Sequence, residues 1–164
     1  MKQIWAPWRM EYIKLSQRLK VKSQKSGCFL CLKSDKFDKN NFILLRGNYS
    51  FVIMNRFPYN PGHLMIAPYH HIGLIERCNG EEIGEIFKFL QKSVAVLKKT
   101  MKPDGFNIGI NLGSVAGVGV PGHLHIHVIP RWLGDTNFMP IVSKTKIINE
   151  GLQSTYNKLK REFK

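Results

Sequence analysis

The chain has no apolar run approaching the roughly 20 residues that span a bilayer. Its opening, Met1-Lys2-Gln3-Ile4-Trp5, carries no apolar signal-peptide core. Cysteine is scarce: three thiols in 164 residues, two of them at a C-x-x-C spacing, do not make a disulfide framework. These absences speak against a membrane-spanning helix and a disulfide-stapled secreted domain, and the expectation is a soluble cytoplasmic protein with no membrane partner. Acidic residues are few as well, 11 Asp and Glu against 25 Lys and Arg, for a formal net charge of +14. That excess favours anionic partners, either nucleic acid or a small polyphosphate. Much of it lies in 14–39 and 144–164, flanking the middle, where such runs also serve simply as a solvated surface.

What is present is enough apolar residue, 43%, for one domain with a real core. Residues 1–27 read as an arm bearing Trp5, Trp8 and Tyr12, followed by a polar, basic connection; residues 28–164 read as a single domain. Apolar runs at 42–45 and 49–54, separated by Arg46-Gly47-Asn48, predict a hairpin. A Pro/Gly-bearing loop over 55–62 leads to a third strand over 63–68. Asn79 with Glu82 three residues on predicts a capped helix start. Ile83, Ile86, Phe87, Leu90, Val94, Leu97 and Met101 then recur at helical steps as one apolar stripe, stopped by Pro103-Asp104-Gly105. Phe106, Ile108, Ile110 and Leu112 alternate with Asn107, Gly109 and Asn111, the pattern of a half-buried strand. A glycine-bearing loop spans 113–122, another loop spans 132–140, and Ile147, Ile148, Leu152, Tyr156, Leu159 and Phe163 predict a closing helix. The sum is an α+β fold: about five strands in a mainly antiparallel sheet, one long central helix and a C-terminal helix.

The chemistry concentrates in Gly122-His-Leu-His-Ile-His-Val-Ile-Pro130. As a strand it places His123, His125 and His127 on one face and Leu124, Ile126 and Val128 in a core. A helix would scatter the rings. A neutral imidazole is a competent nucleophile near neutral pH, and attack on phosphorus divides one hard displacement into two easier ones. The attacking ring needs its other nitrogen held, by a carbonyl or a neighbouring His. Glycines at 113, 117, 119 and 122 allow backbone N–H groups close to phosphate oxygens, and Asn111 faces the triad side by parity. Cys28 and Cys31 can clamp one metal, with zinc the usual choice, and His71 and His123 are available to complete it. His70 stands beside His71, so the pattern leaves that choice open. Cys78 has no partner in sequence and reads as an ordinary small residue.

His123-Leu-His125-Ile-His127-Val-Ile resembles the signature of the histidine triad (HIT) family. Asn111-Leu-Gly-Ser-Val-Ala-Gly117, Pro130-Arg-Trp-Leu-Gly-Asp-Thr-Asn-Phe138 and Ile4-Trp-Ala-Pro-Trp-Arg-Met-Glu-Tyr-Ile13 are similar to the branch holding bacterial diadenosine tetraphosphate phosphorylases. The resemblance implies a HIT-like fold that pairs into a homodimer. It also implies a nucleotidyltransferase that cleaves a dinucleoside polyphosphate, with inorganic phosphate as co-substrate, through a nucleotide bonded to histidine. By family position His125 is the nucleophile, His127 orients the phosphate and helps the leaving oxygen, and His123 supports His125 or ligates zinc. The implied structural zinc set is Cys28, Cys31, His71 and His123. Asn55 stands where relatives carry a ribose-binding carboxylate. Gly119 stands where hydrolase branches carry a Gln, and Val118-Gly119 where phosphorylase-like relatives tend to have a Gly-Ser or similar pair, so phosphate contacts there fall to the backbone. Hydrolysis of dinucleoside polyphosphates or nucleoside phosphoramidates is the second reading. A basic nucleotide- or nucleic-acid-binding module with an inactive triad is the third, and a zinc-dependent hydrolase a weaker fourth. Arg131 and Trp132 either reach the substrate or pack as ordinary residues.

Overall fold

Three short apolar runs in succession, each bounded by turn residues, pair into a meander. The computed structural model describes residues 28–32, 35–113, 115–117, 119–120, 122–135, 148 and 150–163. The expected aromatic arm and basic connection over 1–27, Val118 and most of the 132–140 loop lie outside the described residues. A single-turn helix α1 (Asp38–Asn41) precedes β1 (Ile43–Arg46), β2 (Ser50–Met54) and β3 (Leu64–Pro68). Then come a 3-10 turn (Ile75–Arg77), the long helix α2 (Gly80–Met101), β4 (Gly105–Ile110), β5 (Ile126–Arg131) and α3 (Leu152–Lys160). The strands form one antiparallel sheet in the order β1-β2-β3-β5-β4. The α+β architecture with about five antiparallel strands, a long central helix and a C-terminal helix is therefore as the sequence predicts. The histidine-bearing strand is interior, and β1 and β4 are the edges.

The capping box forms as the sequence predicts. Glu82 N–H donates to the Asn79 side chain at 2.8 Å, and Asn79 N–H donates to the Glu82 carboxylate at 2.9 Å. The helix ends at Lys102 in the left-handed region, φ 48°, just before Pro103. Its buried face differs from the predicted stripe. Ile86 and Leu97 are buried, but Phe87 is 53% exposed, and Ser93 and Val96 are buried instead. The inward ridge runs through 86, 89, 93 and 96–97, and the small Ser93 sits on it where the helix meets the sheet.

The sheet is covered on both faces. Leu44, Val52, Met54, Leu64, Ile66, Ile126 and Val128 pack beneath α2 and α3. Ile43, Phe51, Ile53, Met65 and Ala67 pack on the opposite side against Leu30 and Val120. Thus the Cys28–Leu32 segment is itself part of a core. The edge β4 departs from clean alternation. Phe106 and Ile110 reach the core, whereas Ile108 is 48% exposed and Leu112 is exposed beyond the strand. The reason is position, since α2 packs on β2, β3 and β5 and leaves β4 at the margin. At the other edge, the Tyr156 hydroxyl donates to the Ile43 carbonyl, and Lys160 Nζ donates to the carbonyls of Ile43 and Leu44 at 3.1 and 2.9 Å.

Among the described residues, Ser93 Oγ is the buried side-chain polar atom without a hydrogen-bond partner. A buried unpaired hydroxyl costs about 1–3 kcal/mol, and Ala is the better helix former. Ser93→Ala should raise the free energy of urea unfolding by about 1 kcal/mol. A lower midpoint would show that the hydroxyl is satisfied in solution.

Candidate active site and adjoining metal cluster

The site is organised by two backbone segments that cross. Leu124 N–H donates to the Ile72 carbonyl at 2.6 Å, which ties the histidine run to the segment after β3. At the crossing, a Cβ on Gly73 would stand 2.8 Å from Gly122 Cα, so only glycine fits at 73. Gly122 has φ +86° and lies under His71. The ladder of β5 begins at Ile126, so only His127 of the three histidines is within the paired strand. His123 and His125 precede the ladder, and both are almost fully buried.

His123 faces the cysteines. Its Nδ1 is 3.3 Å from Cys28 Sγ and 3.8 Å from Cys31 Sγ, and Cys31 Sγ is 3.3 Å from His71 Nδ1. The four ligand atoms of Cys28, Cys31, His71 and His123 lie within 4.8 Å of one another. A tetrahedral zinc with S and N ligands needs donor separations of about 3.5 Å. The donor set and spacing therefore fit that ion. His123 Nε2 lies 2.8 Å from the Pro68 carbonyl and so carries the proton, which leaves Nδ1 bare toward the cluster. Burial pushes the Cys28 thiol up to about 11 and pushes His123 down to about 4, with His71 and His125 adding to the latter. Both shifts express buried groups resisting charge, which a bound dication offsets. His70 is turned away, its Nδ1 3.4 Å from the Glu82 carboxylate, so the cluster histidine is His71.

The backbone of His123 serves the next histidine. His125 Nδ1 donates to the His123 carbonyl at 2.9 Å. The proton is thereby fixed on Nδ1, and Nε2 keeps its lone pair. His123 therefore holds both positions the sequence offered it, ring to the cluster and carbonyl to His125. The His127 ring stands edge-on to His125, with centroids 4.8 Å apart. Burial lowers the basicity of His125, and burial followed by the neighbouring His125 lowers His127 to about 4.

His63 joins the histidines of the site, which the sequence pattern does not foresee. It is fully buried, and its Nε2 is 2.9 Å from His127 Nδ1. Its Nδ1 meets Tyr59 N–H at 3.2 Å and Asn55 Nδ2 at 3.3 Å, and the Tyr59 ring lies over it at 4.9 Å. A lone His at a strand start carries little signal; the usable sign was its parity with Met65, the cross-strand partner of His127.

Gly109 pairs with His127 across the β4–β5 ladder, and continuing that register sets Asn111 opposite His125. Asn111 is half-buried at the strand exit. Gly119 is half-buried beside Val120, which joins the core under the Cys28–Leu32 segment. Asn55, expected at the nucleotide, has its amide turned inward to His63, with Oδ1 accepting from Phe57 N–H at 2.9 Å. Arg131 is held by Asp135 and by Asn107, and the Trp132 indole N–H donates to the Met101 carbonyl at 3.3 Å. Arg131 is thus paired at the surface, and Trp132 is tied to the end of α2. Asn60, another residue not foreseen, is buried and donates to Pro130 O and to Asp135, fixing the 55–62 loop beside His127.

A sequence model of the HIT domain matches residues 36–132. A protein named "AP-4-A phosphorylase" from Mycobacterium tuberculosis is 35% identical over 165 aligned residues, spanning 99% of this chain and 85% of that one. One named "Bis(5'-nucleosyl)-tetraphosphatase [asymmetrical]" from Schizosaccharomyces pombe is 31% identical over 122 residues, 74% of this chain and 66% of that one. A solved structure described as a Zn-bound histidine triad family protein from Mycobacterium smegmatis superimposes with a TM-score of 0.61 at 16% identity, covering 92% of this chain and 91% of that one.

The imidazoles give the fold an acid limit. Unfolded histidine titrates near 6.5, whereas native His127 does so at about 4. Between those values the unfolded chain binds protons that the native ring refuses. Stability should therefore be level, as far as this ring goes, above pH 7 and fall as pH drops from about 6.5 toward 4. Urea midpoints measured across that window check it, and midpoints that hold constant from pH 7 to 4.5 would contradict it.

Proposed function

The chain belongs to the HIT domain family, and we propose that it cleaves dinucleoside polyphosphates through a nucleotide bonded transiently to His125 and passes that nucleotide to inorganic phosphate. The observation that carries this reading is the 2.9 Å bond from His125 Nδ1 to the His123 carbonyl. It commits one nitrogen to holding the ring and leaves Nε2 as the nucleophile. The Nε2 lone pair forms an N–P bond at the α-phosphorus. The bridging P–O bond breaks, and its electron pair leaves on the departing polyphosphate. An oxygen of inorganic phosphate then attacks the same phosphorus, the N–P bond breaks, and the ring is restored. Diadenosine tetraphosphate so treated gives ATP in the first step and ADP in the second. The departing group is a phosphate anion with a pKa near 6, so it needs no proton to leave. Hydrogen-bond donors that share the charge are enough, and Asn111, the backbone of the Val118-Gly119 loop and His127 are the groups for that task.

We assign zinc to Cys28, Cys31, His71 and His123, in keeping with the 4.8 Å cluster. Four protein ligands close a tetrahedron, so the ion would supply a fixed tie between backbone segments. The expected assembly is a cytoplasmic homodimer. It joins along the outer edge of β4, where Ile108 and Leu112 are exposed.

The test is product analysis with diadenosine tetraphosphate, with and without phosphate. ADP and ATP should appear only when phosphate is present, and His125→Ala should lower turnover by on the order of a thousandfold or more. AMP and ATP formed at an undiminished rate without phosphate would make the enzyme a hydrolase instead. Metal content gives a separate check, with about one zinc per chain expected in the wild type and little in Cys28→Ser. Equal zinc in both would remove the assigned ligand set.

A further inference from the structure

We infer that Arg46 is a positioning residue for the metal cluster: through the Leu32 carbonyl it holds the outer thiol, Cys31, in place beside His71. The cluster has two unlike halves. On the inner side His123 is buried, and its ring is fixed by the Pro68 carbonyl at 2.8 Å. On the outer side Cys31 and His71 are both exposed, with Sγ and Nδ1 3.3 Å apart. Leu30 anchors the middle of the 28–32 segment in the core. Among the described residues, the backbone–backbone hydrogen bonds of this segment stay inside it, from Cys31 N–H to the Cys28 carbonyl at 3.1 Å and from Leu32 N–H to the Leu30 carbonyl at 2.9 Å. The hydrogen bond that ties its far end to the sheet is the one Arg46 Nη1 donates to the Leu32 carbonyl, one residue past Cys31, at 2.7 Å.

That donor works from a rigid base. Arg46 pairs with Phe51 across the β1–β2 ladder. The turn after it is closed by the Glu85 carboxylate, which accepts from the N–H groups of Asn48, Tyr49 and Ser50 at 2.8, 2.9 and 2.6 Å. Asp38 accepts from Nε at 2.9 Å and from Nη2 at 2.7 Å, a forked pair whose side chains are 19% and 22% exposed. With the fork so held, Nη1 is aimed at the Leu32 carbonyl and at the Tyr69 hydroxyl, 3.3 Å away. Tyr69 donates its N–H to the Tyr49 carbonyl and stacks on Phe51, and its chain runs on to His71. One guanidinium therefore bridges the stretch that carries Cys31 and the stretch that carries His71. A lysine would keep the charge but lack the planar fork that meets Asp38 on one side and the Leu32 carbonyl on the other.

This inference rests on the metal ligands proposed above, and its readouts need no turnover. Wild type and variants are loaded with cobalt(II), whose visible absorption reports a tetrahedral thiolate site, and mixed with excess chelator. Arg46→Lys should release the ion on the order of tenfold faster, in line with what residues supporting a metal ligand contribute. Asp38→Asn, which weakens the grip on the guanidinium, should fall between it and the wild type. Tyr156→Phe loosens the same strand at Ile43, away from the cluster, and should release at the wild-type rate. Equal release from wild type and Arg46→Lys would overturn the inference. So would an equal acceleration in Tyr156→Phe, the result expected of a general softening of β1. Amide hydrogen exchange of Cys31 and Leu32 in the metal-free proteins is the second measurement. It should quicken severalfold in Arg46→Lys and not in Tyr156→Phe, and unchanged exchange in Arg46→Lys would also overturn the inference. A wild type that takes up no cobalt but shows that exchange pattern would remove the ligand assignment and leave the restraint by Arg46 standing.

Discussion

His123 is held at both ends. Its ring is fixed on one side by the Pro68 carbonyl and faces two thiols and His71 on the other, while its own carbonyl receives the proton of His125. The His125 ring takes its hydrogen bond from this residue's backbone. A carbonyl belongs to the backbone, so it cannot change rotamer, and a buried ring with both nitrogens engaged cannot turn. The fold supplies the rest of the rigidity at the crossing of Gly73 and Gly122, where the absence of side chains lets Leu124 bond to Ile72. The cluster of Cys28, Cys31, His71 and His123 is therefore joined to His125 through a single residue.

The histidines divide into two systems that differ in what holds them. His125 is set by a backbone carbonyl and is indifferent to neighbouring side chains. His127 instead meets another side chain, His63, which in turn meets the Asn55 amide and the Tyr59 backbone N–H. Burial lowers the basicity of His123, His125 and His127, so at these rings hydrogen-bond donors and lone pairs are favoured over full charges.

Local patterns were legible where one physical cause dominated. The Asn79–Glu82 capping box, the hairpin around 46–48 and the C-x-x-C-plus-histidine cluster all follow from short-range chemistry, and the structure places them as read. Phe87 and Ile108 were misjudged because their surroundings depend on where a helix lies across the sheet, which periodicity does not record. The fates of Arg131 and Trp132 turned on partners at 107, 135 and 101, again contacts made only after folding. His63 was passed over for the same reason. Its meaning lies in the β3–β5 register, and an isolated histidine gives no hint of a second one 64 residues away.

The two margins of the sheet are treated unequally. At β1, a register shift near Ile43 is combined with a lysine and a tyrosine from α3 that occupy its carbonyls. At β4 no such cover is present among the described residues, and Ile108 stays open. A sheet with one sealed end and one open end can grow by a single addition. If two copies meet through their open ends, the composite has sealed margins on both sides, so association terminates there and has no route to a continuing fibril.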